Sequence, residues 1–229
     1  MSFFQSHSAF SAKFIGSVYL FSAAFLVALL AALFAMPDDL AKTILKEGGV
    51  VETLSALGYL AVVAYVLVTF QNRYLAKYHY LIILLLMFAM RELDFDKRFT
   101  ELGILKSKFL VSEQVPLMQK IIGGMVLLLL VYVVALAIYK HFKPLLMQVF
   151  KPKAHTIGIY LGMFSIVFSK SLDGLQRKLQ GFGFEVDNWL TQNASLIEEA
   201  VELFIPLFFF LAFWFYKRET ANSADLRWQ

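Results

Sequence analysis

Arg91, Glu92 and Asp94 close an apolar run, Tyr78 to Met90, that is too short to cross a bilayer. As a helix that run covers roughly 20 Å at ~1.5 Å per residue, whereas a hydrocarbon core is about 30 Å thick. A span that starts at Tyr78 therefore ends near Lys97 and carries an arginine and two carboxylates to membrane depth. Ionisable groups at that depth mark ligand sites, proton paths or ion pairs. Spaced three and four apart, Arg91, Asp94 and Arg98 are expected on one helical face.

Three further places carry polar chemistry. Ser169 and Asp173 lie one turn apart beside Lys170, a hydroxyl and a carboxylate that could hold a cation or a polar headgroup. A nucleophilic serine also needs a base and an oxyanion hole, and the sequence offers neither. Glu198 and Glu202 are four apart, and Pro206 cannot donate to the Glu202 carbonyl, which suits a hard cation such as Mg²⁺ or Ca²⁺. Ser195 and Glu198 also fit a capping box at the start of a helix. Glu52, Ser55 and Tyr59 form a polar stripe at helical spacing, with Glu52 placed to complement a helix N-terminus. The catalytic candidates are thus Asp94, Asp173 and Glu202. Glu52, Arg91, Glu92 and Ser169 are the substrate-binding candidates, and Asp94, Asp173, Glu198 and Glu202 the metal candidates.

The chain has no cysteine, which removes disulfides, thiolate metal sites and a cysteine nucleophile. Its histidines, His7, His79, His141 and His155, fall outside the acidic group, which argues against histidine-ligated zinc there. No haem is expected. Ser169 and Asp173 resemble part of the Ser, Asp and His set of the alkaline ceramidase and adiponectin-receptor hydrolases. No span holds a His-x-x-x-His pair, however, and the chain is assigned to no family.

The elements that must position these residues are membrane spans. Of 229 residues, 59% are hydrophobic and only 17% charged, against about 45–50% and 25% in soluble domains; the mean hydropathy is +0.67. The expected fold is all-α, a polytopic six-helix transmembrane bundle forming one integral membrane domain over 1–229. Its spans are expected at 14–36, 50–70, 78–97, 121–142, 157–176 and 196–216, with Phe14–Met36 read as a span that stops at Pro37-Asp38-Asp39 rather than a signal peptide. Phe99 to Gln119 suits an interfacial or re-entrant piece. Gly181-Phe182-Gly183-Phe184 suits a membrane-hugging loop with Trp189 as an interface anchor.

The loops at 71–79 and 140–155 are basic and free of acids, which puts both termini in the cytoplasm of a bacterial inner membrane by the positive-inside rule. Nearly every acid then lies toward the outside, and an outward-facing, carboxylate-rich pocket is expected. The partners implied are the bilayer and a lipid-linked or headgroup substrate, with a second copy or a protein partner left open. Basic residues in short loops read as topology, so no nucleic acid is expected. Two alternatives stand beside lipid binding or modification: a membrane subunit or sensor whose charges are structural, and an ion- or proton-coupled transporter. The apolar inner halves of the spans count against a continuous transport path.

Overall fold

A two-residue turn, Phe70-Gln71, joins two long helices here named α2 (Val50–Thr69) and α3 (Asn72–Glu92). It is one joint in a computed structural model that describes residues 10–37, 40, 43–44, 48–106, 108–183 and 187–225. Among the described residues the chain is all-helical, without strands. The remaining helices are α1 (Ala12–Ala35), α4 (Phe95–Phe99), α5 (Leu117–Gln148), α6 (Ala154–Leu172), α7 (Leu175–Gly181) and α8 (Asn188–Asp225). They fall into two compact units: α2 to α5 form one, and α1 with α6, α7 and α8 the other. Asp38, Asp39, His7 and Phe184, named above, lie outside the described residues.

Among the described residues four helices, α1, α2, α3 and α5, are long and apolar enough to cross a membrane. Six expected spans are thus matched by four on length and composition. The segments at 157–176 and 196–216 are helical too, within α6 and α8, but are not among those four. Along α6, Thr156, Gly158, Gly162, Ser165 and Ser169 dilute the apolar content.

In the first unit α2 runs antiparallel to α3. The Tyr59 and Phe88 rings meet at 5.5 Å, and both helices bury apolar side chains, Val62 and Val66 on α2 and Leu85 and Ala89 on α3. The third helix departs from expectation. It starts at Asn72, six residues before Tyr78, and stops at Glu92 rather than near Lys97. Its 21 residues span about 31 Å, enough for a bilayer without Asp94 to Arg98, and they place Arg91 and Glu92 in its last turn. Arg73 and Lys77 have long apolar stems that let a charged head reach water from such a position. Tyr78 (φ −117°, ψ 21°) marks a kink inside it.

Asp94 then turns left-handed (φ 49°, ψ 36°) and starts α4, a conformation Asp tolerates better than most residues. Arg91, Asp94 and Arg98 therefore do not share one helical face, because the helix is broken between them. The chain next folds back on α5: the Glu101 amide donates to Gln119 Oε1 at 3.1 Å, and fully buried Phe109 packs where Gly123 has no side chain. Most of α5 is apolar all round and exposed, with only Gly123 and Val133 buried, the pattern of a lipid-facing helix.

In the second unit α6 packs closely along α8. Gly158, Gly162, Ser165 and Ser169 are all buried, and small residues at this spacing let helix backbones approach in lipid. The approach leaves no slack: a Cβ at Gly158 would stand 2.7 Å from the Phe208 carbonyl oxygen. α1 leans on the same helix through the Phe25–Phe204 ring contact at 5.6 Å, and Phe10, just before α1, stacks on Trp214 at 5.4 Å. Buried Tyr19 donates its hydroxyl hydrogen to the Ala154 carbonyl at 2.8 Å and so ties α1 to α6. α8 begins at Asn188, so Ser195 lies inside the helix and the capping box expected at Ser195–Glu198 does not form a helix start.

Candidate functional site

The carboxylates of α8 face a lysine of α6. Lys170 sits in the last turn of α6, and Asp173 is the residue that caps it. Glu198 and Glu202 stand one turn apart on α8. The Lys170 ammonium lies 3.0 Å from Asp173 Oδ2, 3.4 Å from Glu202 Oε1 and 3.7 Å from Glu198 Oε1. The side chains grade from wet to dry: Asp173 is 53% exposed, Lys170 39%, Glu198 15% and Glu202 6%. A carboxylate as deep as Glu202 is costly without a partner, and Lys170 supplies one while keeping contact with solvent. Lys178 closes the end of α6, its ammonium donating to the Lys170 carbonyl at 2.8 Å, where a cation favours the helix C-terminus.

Ser169 does not share Asp173's surroundings, although the two are one turn apart. α6 ends at Leu172, so Asp173 turns outward, whereas Ser169 is buried and its hydroxyl donates to the Ile166 carbonyl at 3.2 Å.

The other candidates belong to the unit of α2 to α5 and pair within it. Arg91 Nη1 lies 3.2 Å from Glu92 Oε1, with the Glu92 side chain 4% exposed. Asp94 Oδ1 meets Lys97 Nζ at 2.9 Å. Glu52 Oε2 accepts from the Gly48 amide at 2.6 Å, the helix-start role its position predicts. Ser55 lies one turn before Tyr59 on the buried face of α2. Ser55 is fully buried, and its hydroxyl has no hydrogen-bond partner.

Among the described residues, no group of three His, Asp or Glu side chains has a geometry that could hold a metal. Asp173, Glu198 and Glu202 converge on an ammonium instead.

Two pairings escape sequence reasoning. Tyr80, fully buried, makes a 2.6 Å hydrogen bond with His141 Nε2 between α3 and α5. His155 Nδ1 bonds Glu219 Oε2 at 2.5 Å between α6 and α8, with Tyr216 edge-on to the imidazole. The partners lie 61 and 64 positions apart. The only local signal is the i, i+4 spacing of Tyr74 and Tyr78, whose rings stand 4.4 Å apart.

By the length and composition of α1, α2, α3 and α5, the fold is that of a multi-pass membrane protein. No protein-family model, curated protein or solved structure matches the chain.

Proposed function

We propose that the Lys170–Asp173–Glu198–Glu202 cluster binds the polar headgroup of a lipid or lipid-linked substrate. The observation that carries this reading is the gradient of exposure across one set of charges. Glu202 is held dry at the bottom while Lys170 and Asp173 meet solvent at the top. A headgroup with both an amine and an anionic group could exchange with that ladder, its amine replacing the Lys170 ammonium on Glu202 and its anion meeting Lys170. Mg²⁺ or Ca²⁺ would enter only in competition with Lys170. The cluster belongs, on this reading, to the outer face of a bacterial inner membrane, with both termini cytoplasmic.

The test is Glu202→Gln, which preserves size and removes charge. Wild-type protein purified in mild detergent should retain a lipid class, read by native mass spectrometry, that Glu202→Gln loses while unfolding at a similar temperature. An unchanged lipid complement in the variant would overturn the proposal. A second reading has its own support: Lys170 already lies within 4 Å of three carboxylates, so the charges could serve only to lock α6 to α8.

A further inference from the structure

Lys77 and Lys140 define a second polar locality, in the unit of α2 to α5. The Lys140 ammonium stands 4.8 Å from the Tyr80 ring centre and the Lys77 ammonium 5.3 Å from that of Tyr78. The two rings are 6.2 Å apart. His141 fixes the arrangement: it bonds the Tyr80 hydroxyl at 2.6 Å and places its own ring 6.1 Å from Tyr78. Tyr78, at the kink in α3, and Tyr80 both lie within ring-contact distance of His141 on α5.

Among the described residues no carboxylate lies within 4 Å of either ammonium. The sequence explains why: there is no Asp or Glu between Glu52 and Glu92, and none between Glu113 and Asp173. A cation on an exposed aromatic face gains only ~0.5–1 kcal/mol, and two cations on adjoining rings repel one another. An anion between them relieves both. The surroundings say which kind of anion. Tyr139 is 85% exposed and Phe142 63%, so the neighbours of Lys140 on α5 present apolar surface near the end of the span expected at 121–142. Aromatic rings with lysines at that level are the features that meet headgroups at a membrane interface.

We propose that Lys77 and Lys140, seated on the Tyr78 and Tyr80 rings, bind the phosphate of an anionic phospholipid. This site is separate from the Lys170 cluster and stands whether or not that cluster binds a ligand. The test uses the full chain in detergent, titrated with phosphatidylglycerol, phosphatidylcholine or inorganic phosphate and followed by native mass spectrometry. Wild type should prefer phosphatidylglycerol. Lys77→Gln/Lys140→Gln should weaken that binding about 25-fold, about fivefold per lysine, while the double arginine variant keeps it. If the double glutamine variant does not fold, each single variant should show the fivefold loss alone. Binding within twofold of wild type in the glutamine variants, or equal affinity for phosphatidylcholine, would overturn the proposal. Displacement by inorganic phosphate at the lipid's own concentration would overturn the lipid as ligand and leave a free-anion site.

Discussion

Gly123 lacks a side chain where one would collide with Phe109. A Cβ there would stand 2.3 and 2.6 Å from two ring carbons of Phe109, a residue with no exposed surface. Gly123→Ala must therefore displace a buried ring, and overpacking of that kind costs about 1–3 kcal/mol. A lower unfolding temperature is expected, with partial recovery when Phe109→Leu is added. A Gly123→Ala protein as stable as wild type would show that Phe109 does not pack there. Nothing in the sequence announces this pair, because contact between a loop aromatic and a helix glycine leaves no periodic trace. The same holds for Tyr80 and His141, which lie 61 positions apart and are brought together only by the fold. Glu202 was legible for the opposite reason: a carboxylate inside an apolar helix is conspicuous from composition alone. Its Lys170 partner stood in plain view beside Ser169, but the sequence could not say which helix faced which.

At the scale of elements, the small-residue stripe of α6 was readable because Gly158, Gly162, Ser165 and Ser169 recur at steps of three and four, and α8 does pack along it. The two glycines differ in what they touch. A Cβ at Gly158 would meet main-chain atoms, the Phe208 oxygen at 2.7 Å and the Ala212 nitrogen at 3.0 Å, whereas one at Gly162 would meet the Phe209 ring at 2.8 Å. A ring can turn, but a helix backbone can only move away. Gly158→Ala should thus lower the unfolding temperature more than Gly162→Ala; the reverse order would contradict the close backbone approach. The start of α3 was harder to read, since Asn72, Arg73, Lys77 and His79 interrupt the apolar pattern that marks a span. These four side chains are exposed, on the outer side of the helix they belong to. Ser195 misled in a similar way, as a local capping pattern was overridden by a helix that had already begun at Asn188.

For the whole molecule, the number of helices that cross is a measurable property. Absence of native cysteine makes single-cysteine labelling clean. The proposed orientation, with both termini inside, requires Gln71→Cys to react only from the cytoplasm and Ser112→Cys only from outside. Asp187→Cys decides between six crossings and four: labelling from outside is expected if α6 and α8 traverse the bilayer, and labelling from the cytoplasm would contradict it. The central claim, that the Lys170 cluster receives a ligand rather than only joining two helices, is tested most directly by Lys170→Met/Glu202→Gln. This double change removes the deep carboxylate and its counter-charge together, so an ion pair that is merely structural is replaced without leaving a buried charge behind. The double variant is expected to unfold near the wild-type temperature, as Glu202→Gln does, and to lack the lipid that wild type retains. A double variant that keeps both wild-type stability and the lipid would contradict a ligand at this cluster.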